Sequence, residues 1–183
     1  IRKGHIHVGI TGGALLFRYL RETGRDDLIY SMTSQTTYPS WGHMRENDAT
    51  TIWEMWEKDL PGHSLLHSSY LYPGAWYIDG VAGIKRGKAG YKEFSICVPI
   101  LKENQINWAK ASFDSPMGVI KSHWTLENGK YDLKVTVPPN CKANIHFPSI
   151  GNIEEKSGIA KRISTEGRYT IFEVPAGSYH FTE

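Results

Sequence analysis

The chain has 183 residues, 40% hydrophobic and 12% aromatic, enough to bury one sizeable core or two small ones. Its 21 basic and 19 acidic residues leave a formal charge of +2, which gives no broad electropositive field and argues against nucleic acid or an anionic membrane as partner. No apolar run approaches the roughly 20 residues of a membrane span. Ile1-Arg2-Lys3 is followed by glycine and histidine in place of an apolar signal core, and without an initiator Met the chain reads as a piece of a longer polypeptide.

Residues 1 to about 86 carry helical patterns. In "ALLFRYLRETG", Leu15, Leu16, Tyr19 and Leu20 fall on one stripe, and Gly24 suits the left-handed position after a helix. A second helix is expected from Asp26 or Asp27, ending by Pro39. A third is expected from Asp48, a good N-cap, through Lys58, before Pro61-Gly62 breaks it. The fourth, "SSYLYPGAWYIDGVAGI", accommodates Pro73 by a kink or by starting there.

From about Lys92 to Glu183 the period changes to two. "KEFSICVPI", "INWAKASF", "GVIKSHWTL", "YDLKVTVP", "ANIHFP", "YTIFEVP" and "SYHF" are short β-rich runs separated by turn residues, as in an antiparallel sandwich. Asn128-Gly129 marks a hairpin, because both residues accept the positive φ of a type I′ turn. Helices followed by strands, in place of alternation, point to two packed units: an α+β chain, helical over 1–86 and sandwich over 92–183. Cys97 and Cys141 each lack a Cys or His at ligand spacing, so neither a disulfide framework nor a zinc cluster is indicated.

The stretch "TTIWEMWEKD" holds the most informative carboxylate. On a helical wheel Ala49, Ile52, Trp53 and Trp56 share one face, and Glu54, Glu57 and Lys58 the other. Periodicity therefore makes Glu54 and Lys58 an exposed i,i+4 ion pair, while a polar face lining a cleft makes Glu54 a working group. Around it Tyr38, Trp41, Trp53, Trp56, His43, Glu46, His63 and His67 form a neighbourhood of flat rings, carboxylates and imidazoles, the mixture that sugar binding uses.

"YPSWGHMRENDATTIWEMW" followed by "HSSYLYPGAWYIDGVAGI" resembles the late catalytic region of the bacterial α-L-rhamnosidases, glycoside hydrolase family 78. "WAKASFDSPMGVIKSHWTLENGKYDLKVTVPPNCKANIHFP", ending in "GSYHF", resembles that family's C-terminal β-sandwich, so essentially the whole chain is covered. The resemblance implies the last helices of an (α/α)6 barrel over residues 1 to 86, an antiparallel β-sandwich after them, and inverting hydrolysis of terminal α-L-rhamnosides. It implies a rhamnoside substrate, no metal or other cofactor, and a partner in the N-terminal part of the same enzyme, which would hold the general acid. By motif position Glu54 is similar to the family's general base, while Trp41 in "PSWG" and His67 in "LLHSSY" resemble residues of the sugar pocket. Tyr38, Trp53 and Trp56 are expected as framework. Met55 stands where many relatives show arginine, Ala75 where relatives carry an acid, and the stretch from Glu54 to His67 is short, departures that bear on specificity and activity but not on the fold. The reading from another class is a noncatalytic carbohydrate-binding or structural β-sandwich carrying barrel remnants.

Overall fold

The computed structural model describes residues 4–101, 104–149 and 151–183. Ile1-Arg2-Lys3, where a signal segment was sought, lies outside the described residues. The chain forms two compact units, residues 1–76 and 77–183.

The first unit opens with helix α1, Ile10–Glu22, followed by α2, Asp26–Thr33. The turn between them closes as expected at Gly24, which takes φ +65° while Arg25 N–H reaches back to the Leu20 carbonyl at 2.8 Å. The buried face of α1 is Gly13, Phe17 and Leu20, narrower than the expected stripe, and Leu15 and Tyr19 stay exposed. Gly13 owes its place to close packing, since a methyl there would lie 2.2 Å from the Tyr72 hydroxyl. On α2, Ile29 and Met32 are buried and Asp26 accepts the Trp76 indole N–H at 2.7 Å.

The third expected helix does not form. A short helix α3, Trp41–Glu46, starts earlier, with the Ser40 hydroxyl accepting from His43 N–H at 2.9 Å, and it ends before Asp48, which takes φ +64°. Residues 48–58 are irregular. Thr50, Thr51 and Ile52 are β-branched and weak in helices, and burying both Trp53 and Trp56 outweighs the local preference. The Glu54–Lys58 pair is lost with the helix; the Lys58 ammonium donates to the Asn47 carbonyl at 3.0 Å. The fourth expected helix shrinks to α4, Pro73–Trp76, and the second unit begins with a single π-helical turn, Tyr77–Val81. Proline suits the first turn of α4, where its missing N–H has no partner to lose.

The second unit holds ten strands: β1 Ile84–Arg86, β2 Glu93–Cys97, β3 Trp108–Ser115, β4 Gly118–Glu127, β5 Lys130–Val137, β6 Lys142–Phe147, β7 Glu154–Glu155, β8 Lys161–Glu166, β9 Tyr169–Val174 and β10 Gly177–Thr182. They make two five-stranded sheets, in the orders β1-β2-β6-β9-β8 and β3-β4-β5-β10-β7. Every pairing is antiparallel except β2 with β6, a parallel contact the sequence did not signal. The β4–β5 hairpin turns at Asn128 (φ +52°) and Gly129 (φ +76°), as its Asn-Gly pair requires.

Alternation along the strands turns Phe94, Ile96, Ile145, Phe147 and Phe172 of one sheet toward Trp124, Leu133, Val135, Tyr179 and Phe181 of the other. Phe172 meets Phe181 at 5.1 Å between ring centroids and Phe147 meets Phe181 at 6.2 Å, so the sheets pack face to face. The lead-in segment is fixed by side chains of β4: Trp124 donates its indole N–H to the Val81 carbonyl at 2.8 Å, and Ser122 its hydroxyl to the Ala82 carbonyl at 2.7 Å. Gly83 then turns with φ +78° so close to β2 that a methyl on it would lie 2.4 Å from the Cys97 carbonyl oxygen. Gly83→Ala combines a left-handed backbone with that clash and is expected to destabilise the second unit by at least about 2 kcal/mol, read from the urea midpoint of the sandwich. A variant within ~0.5 kcal/mol of the parent would show that β1 and its lead-in detach without consequence.

Candidate active site

The candidate site is built on two irregular segments of the first unit that run past each other. Glu54 N–H donates to the Ser64 carbonyl at 3.0 Å, His67 N–H donates to the Ile52 carbonyl at 2.8 Å, and the Thr51 hydroxyl donates to the Leu65 carbonyl. Pro61-Gly62, with Gly62 at φ +80°, reverses the chain between them. This pairing brings Glu54 and His67 onto neighbouring rungs, although thirteen positions of sequence separate them.

Glu54 is half-buried. Its Oε2 accepts the Ser64 backbone N–H at 2.8 Å, so Ser64 grips the residue through both its amide and its carbonyl. One carboxylate oxygen is thereby fixed in orientation while Oε1 keeps its capacity to accept a proton. Periodicity could not single out Ser64, because the contact depends on the reversal at Pro61-Gly62.

His67 is exposed and its ring state is set by Ser69. The Ser69 backbone N–H donates to Nδ1 at 3.0 Å, and the Ser69 hydroxyl also contacts Nδ1. A backbone amide can only donate, so Nδ1 is the unprotonated nitrogen and Nε2–H is left as an outward donor. The ring lines a shallow hollow of about 430 Å³ with Ile52, Leu66 and Leu71. Leu66 is 73% exposed in that rim. Glu54 and Trp41 do not line this hollow.

Trp41 lies in a cluster of rings at the start of α3. Its indole N–H donates to the Tyr70 carbonyl at 2.9 Å, and its ring meets Phe17, Trp56 and Tyr72 edge-on at centroid distances of 5.7, 5.2 and 5.6 Å. Trp56 stacks on Tyr70 at 4.0 Å. Trp53, Trp56 and Tyr70 are buried, as framework residues would be, whereas Tyr38, expected in the same role, is 47% exposed. Burial pushes the Tyr72 phenol up from its ordinary pKa, which keeps it neutral.

A second carboxylate in this region was not foreseen as a site residue. Tyr38 donates its hydroxyl to Glu57 Oε1, and this hydrogen bond, with burial and the charge of Glu57, raises the Tyr38 pKa. Tyr38 meets the His43 ring edge-on at 5.4 Å, and His43 in turn contacts Asn47. His63 contacts the Glu57 carbonyl at 2.9 Å, and His5 the Thr37 hydroxyl at 2.7 Å. Among the described residues no group of three or more His, Cys, Asp or Glu side chains is arranged to hold a metal.

Two family models match the chain, one after the other, and both describe domains of one class of glycosidase. The bacterial alpha-L-rhamnosidase 6 hairpin glycosidase domain matches residues 1–81, and the bacterial alpha-L-rhamnosidase C-terminal domain matches residues 83–161. The chain belongs to the bacterial α-L-rhamnosidase family. It is 30% identical to an α-L-rhamnosidase of Streptomyces avermitilis over 97% of this chain and 18% of the relative. It is 37% identical to one of Formosa agariphila over 79% of this chain and 16% of the relative. Among solved structures, the Streptomyces avermitilis α-L-rhamnosidase complexed with L-rhamnose superposes with a TM-score of 0.88 at 30% identity, covering 98% of this chain and 18% of that one. The α-L-rhamnosidase from Dictyoglumus thermophilum gives 0.89 at 26% identity, over 99% of this chain and 21% of that one. The chain therefore spans less than a quarter of the length of these relatives.

Proposed function

We propose that the chain is part of an inverting glycoside hydrolase that releases terminal α-L-rhamnose from rhamnosides. In this reading the helices up to Trp76 are the last of an (α/α)6 barrel, and the sandwich that follows begins at β1, Ile84–Arg86, earlier than the expected residue 92. The observation that carries the proposal is the Glu54–Ser64 grip: a carboxylate with one oxygen oriented by a backbone amide and the other available to accept a proton. Glu54 takes the proton of a water that attacks the anomeric carbon, while a carboxylic acid outside these 183 residues protonates the leaving oxygen. Inverting enzymes hold the two groups about 6.5–9.5 Å apart to admit that water. His67 offers its Nε2–H to a sugar hydroxyl, and Trp41 fixes the wall behind the pair by packing. The exposure of Leu15, Tyr19, Leu66 and Leu71 supports a site whose remaining walls come from elsewhere in the polypeptide.

The test is a chimera in which these 183 residues replace the corresponding segment of the Streptomyces avermitilis enzyme. It is expected to release L-rhamnose from an aryl α-L-rhamnoside, with the β-anomer appearing first in proton NMR. A chimera that melts cooperatively yet shows no turnover, or that forms the α-anomer first, overturns the reading. The 183-residue chain by itself is expected to show no turnover, because a base without its acid leaves the departing oxygen unprotonated.

A further inference from the structure

The outer face of the sheet β3-β4-β5-β10-β7 carries a feature that the hydrolytic reading does not use. The strand register lines up Lys110, His123, Lys134 and His180 as direct cross-strand neighbours, a row that crosses four strands. At about 4.8 Å per strand the row is about 14 Å long. The next row on the same face holds Ser112, Lys121, Thr136 and Ser178. Both rows line one open groove of about 930 Å³, with Lys156 and Glu155 on its rim.

A lysine-bearing sheet face is ordinarily a solvated surface, and three observations separate this one from that case. First, the two rows share one groove of about 930 Å³. Second, its lysines are not used in ion pairs: among the described residues Lys110, Lys121, Lys134 and Lys156 have no carboxylate at ion-pair distance, and of the row only His180 is so paired. The register also places Asp114, Asp132 and Glu154 on this face, flanking the two rows, and two of the acids at the groove are already partnered. Asp132 accepts from His180 at 2.6 Å, and Glu155 is folded into its own turn, accepting from the amides of Ser157 and Ala160 and from the Ser157 hydroxyl. Third, Trp108 stands on the same face of β3, two positions before Lys110, and is 61% exposed. An exposed indole beside a charged groove offers stacking for the C–H face of a sugar ring.

We propose that this groove binds an anionic oligosaccharide, with Lys110, Lys121 and Lys134 receiving its carboxylate or sulfate groups and Trp108 stacking on one of its rings. The row is too long for a single small anion. The neighbouring hydroxyls of Ser112, Thr136 and Ser178 supply donors and acceptors suited to sugar hydroxyls. The proposal rests on the glycosidase reading only for the choice of sugar over another polyanion, and binding is measured without turnover, so failure of one is distinguishable from failure of the other.

The experiment is calorimetric titration of the 183-residue chain at moderate salt with four probes of matched length: oligogalacturonate, sulfated dextran oligosaccharide, neutral dextran oligosaccharide and poly-L-glutamate. Binding is expected for at least one anionic sugar and not for the neutral one, and which of the two binds separates carboxylate from sulfate. Lys110→Gln with Lys134→Gln is expected to weaken that binding at least tenfold, and Trp108→Ala to weaken it several-fold, with the urea midpoint of each variant unchanged. Equal binding of poly-L-glutamate, insensitive to Trp108→Ala, overturns the sugar assignment. No binding of either anionic sugar, or equal binding of the neutral one, overturns the proposal altogether.

Discussion

Glu54→Gln, placed in the active chimera, is expected to lower kcat by about 10²–10⁴, the usual contribution of a positioned acid or base. KM and the unfolding midpoint should stay close to those of the parent. Glutamine keeps the size of the side chain and an oxygen that can accept the Ser64 amide, so the grip on residues 52–67 survives while the ability to take a proton is lost. An exposed residue of no catalytic use behaves differently, since its replacement changes stability by under ~0.5 kcal/mol and leaves turnover alone. Michaelis parameters with an aryl rhamnoside separate the two, and near-normal kcat removes Glu54 from the mechanism. Ser64→Pro deletes the donor without touching the carboxylate and tests the orienting role. It is expected to lower kcat while Glu54 remains, and its effect should be largely absent in the Glu54→Gln background because the two act as a unit.

What the sequence revealed and what it hid divide along the range of the interactions. Asn128-Gly129 was legible because a type I′ turn is decided by its own two residues. The strands β4, β5 and β6 were legible because one face of each is buried and the alternation survives in the residues. By contrast β8 is exposed or half-exposed at every position and carries a register shift between Arg162 and Ser164, so it has no alternation to read. β1 is only three residues long, and it forms because Gly83 and Cys97 pair across the entry to the sheet. The same distinction applies to the candidate site. Two tryptophans three apart satisfy a helical wheel, but Trp53 and Trp56 are buried on an irregular segment, and a wheel cannot report that Glu54 answers to Ser64. Glu54 and His67 are singled out only by the motifs around them, and the hydrogen bonds that orient both were invisible because Pro61-Gly62 decides them at a distance. The tertiary choice of α1 is similar: Leu15 and Tyr19 are more apolar than Gly13, yet Gly13 is the residue on which Tyr72 packs.

The largest effect on stability is expected at Trp124. The side chain is 1% exposed at the centre of β4, and its indole N–H holds the Val81 carbonyl at 2.8 Å. Trp124→Ala removes a buried aromatic, which costs about 3–5 kcal/mol by loss of burial and the cavity left behind. Trp124→Phe keeps most of the apolar volume but leaves the Val81 carbonyl without its donor, a loss of about 1–3 kcal/mol. Ser122→Ala, which releases the neighbouring Ala82 carbonyl, should fall near 1 kcal/mol, and combined with Trp124→Phe it should be non-additive because both side chains tether one short segment. Two compact units make a single global unfolding curve ambiguous, so the reading belongs on a local reporter. The Cys97 amide, bonded to the Gly83 carbonyl at 2.8 Å, is such a reporter, because it is released when the lead-in segment comes off β2. Its hydrogen-exchange protection is expected to fall by at least about 10² in Trp124→Ala, as a loss of ~3 kcal/mol requires when exchange follows the opening equilibrium. If Cys97 protection holds while the core of β4 and β5 loosens, Trp124 serves the sandwich alone and the segment from Val81 to Ile84 is fastened by Gly83 and β1 without it.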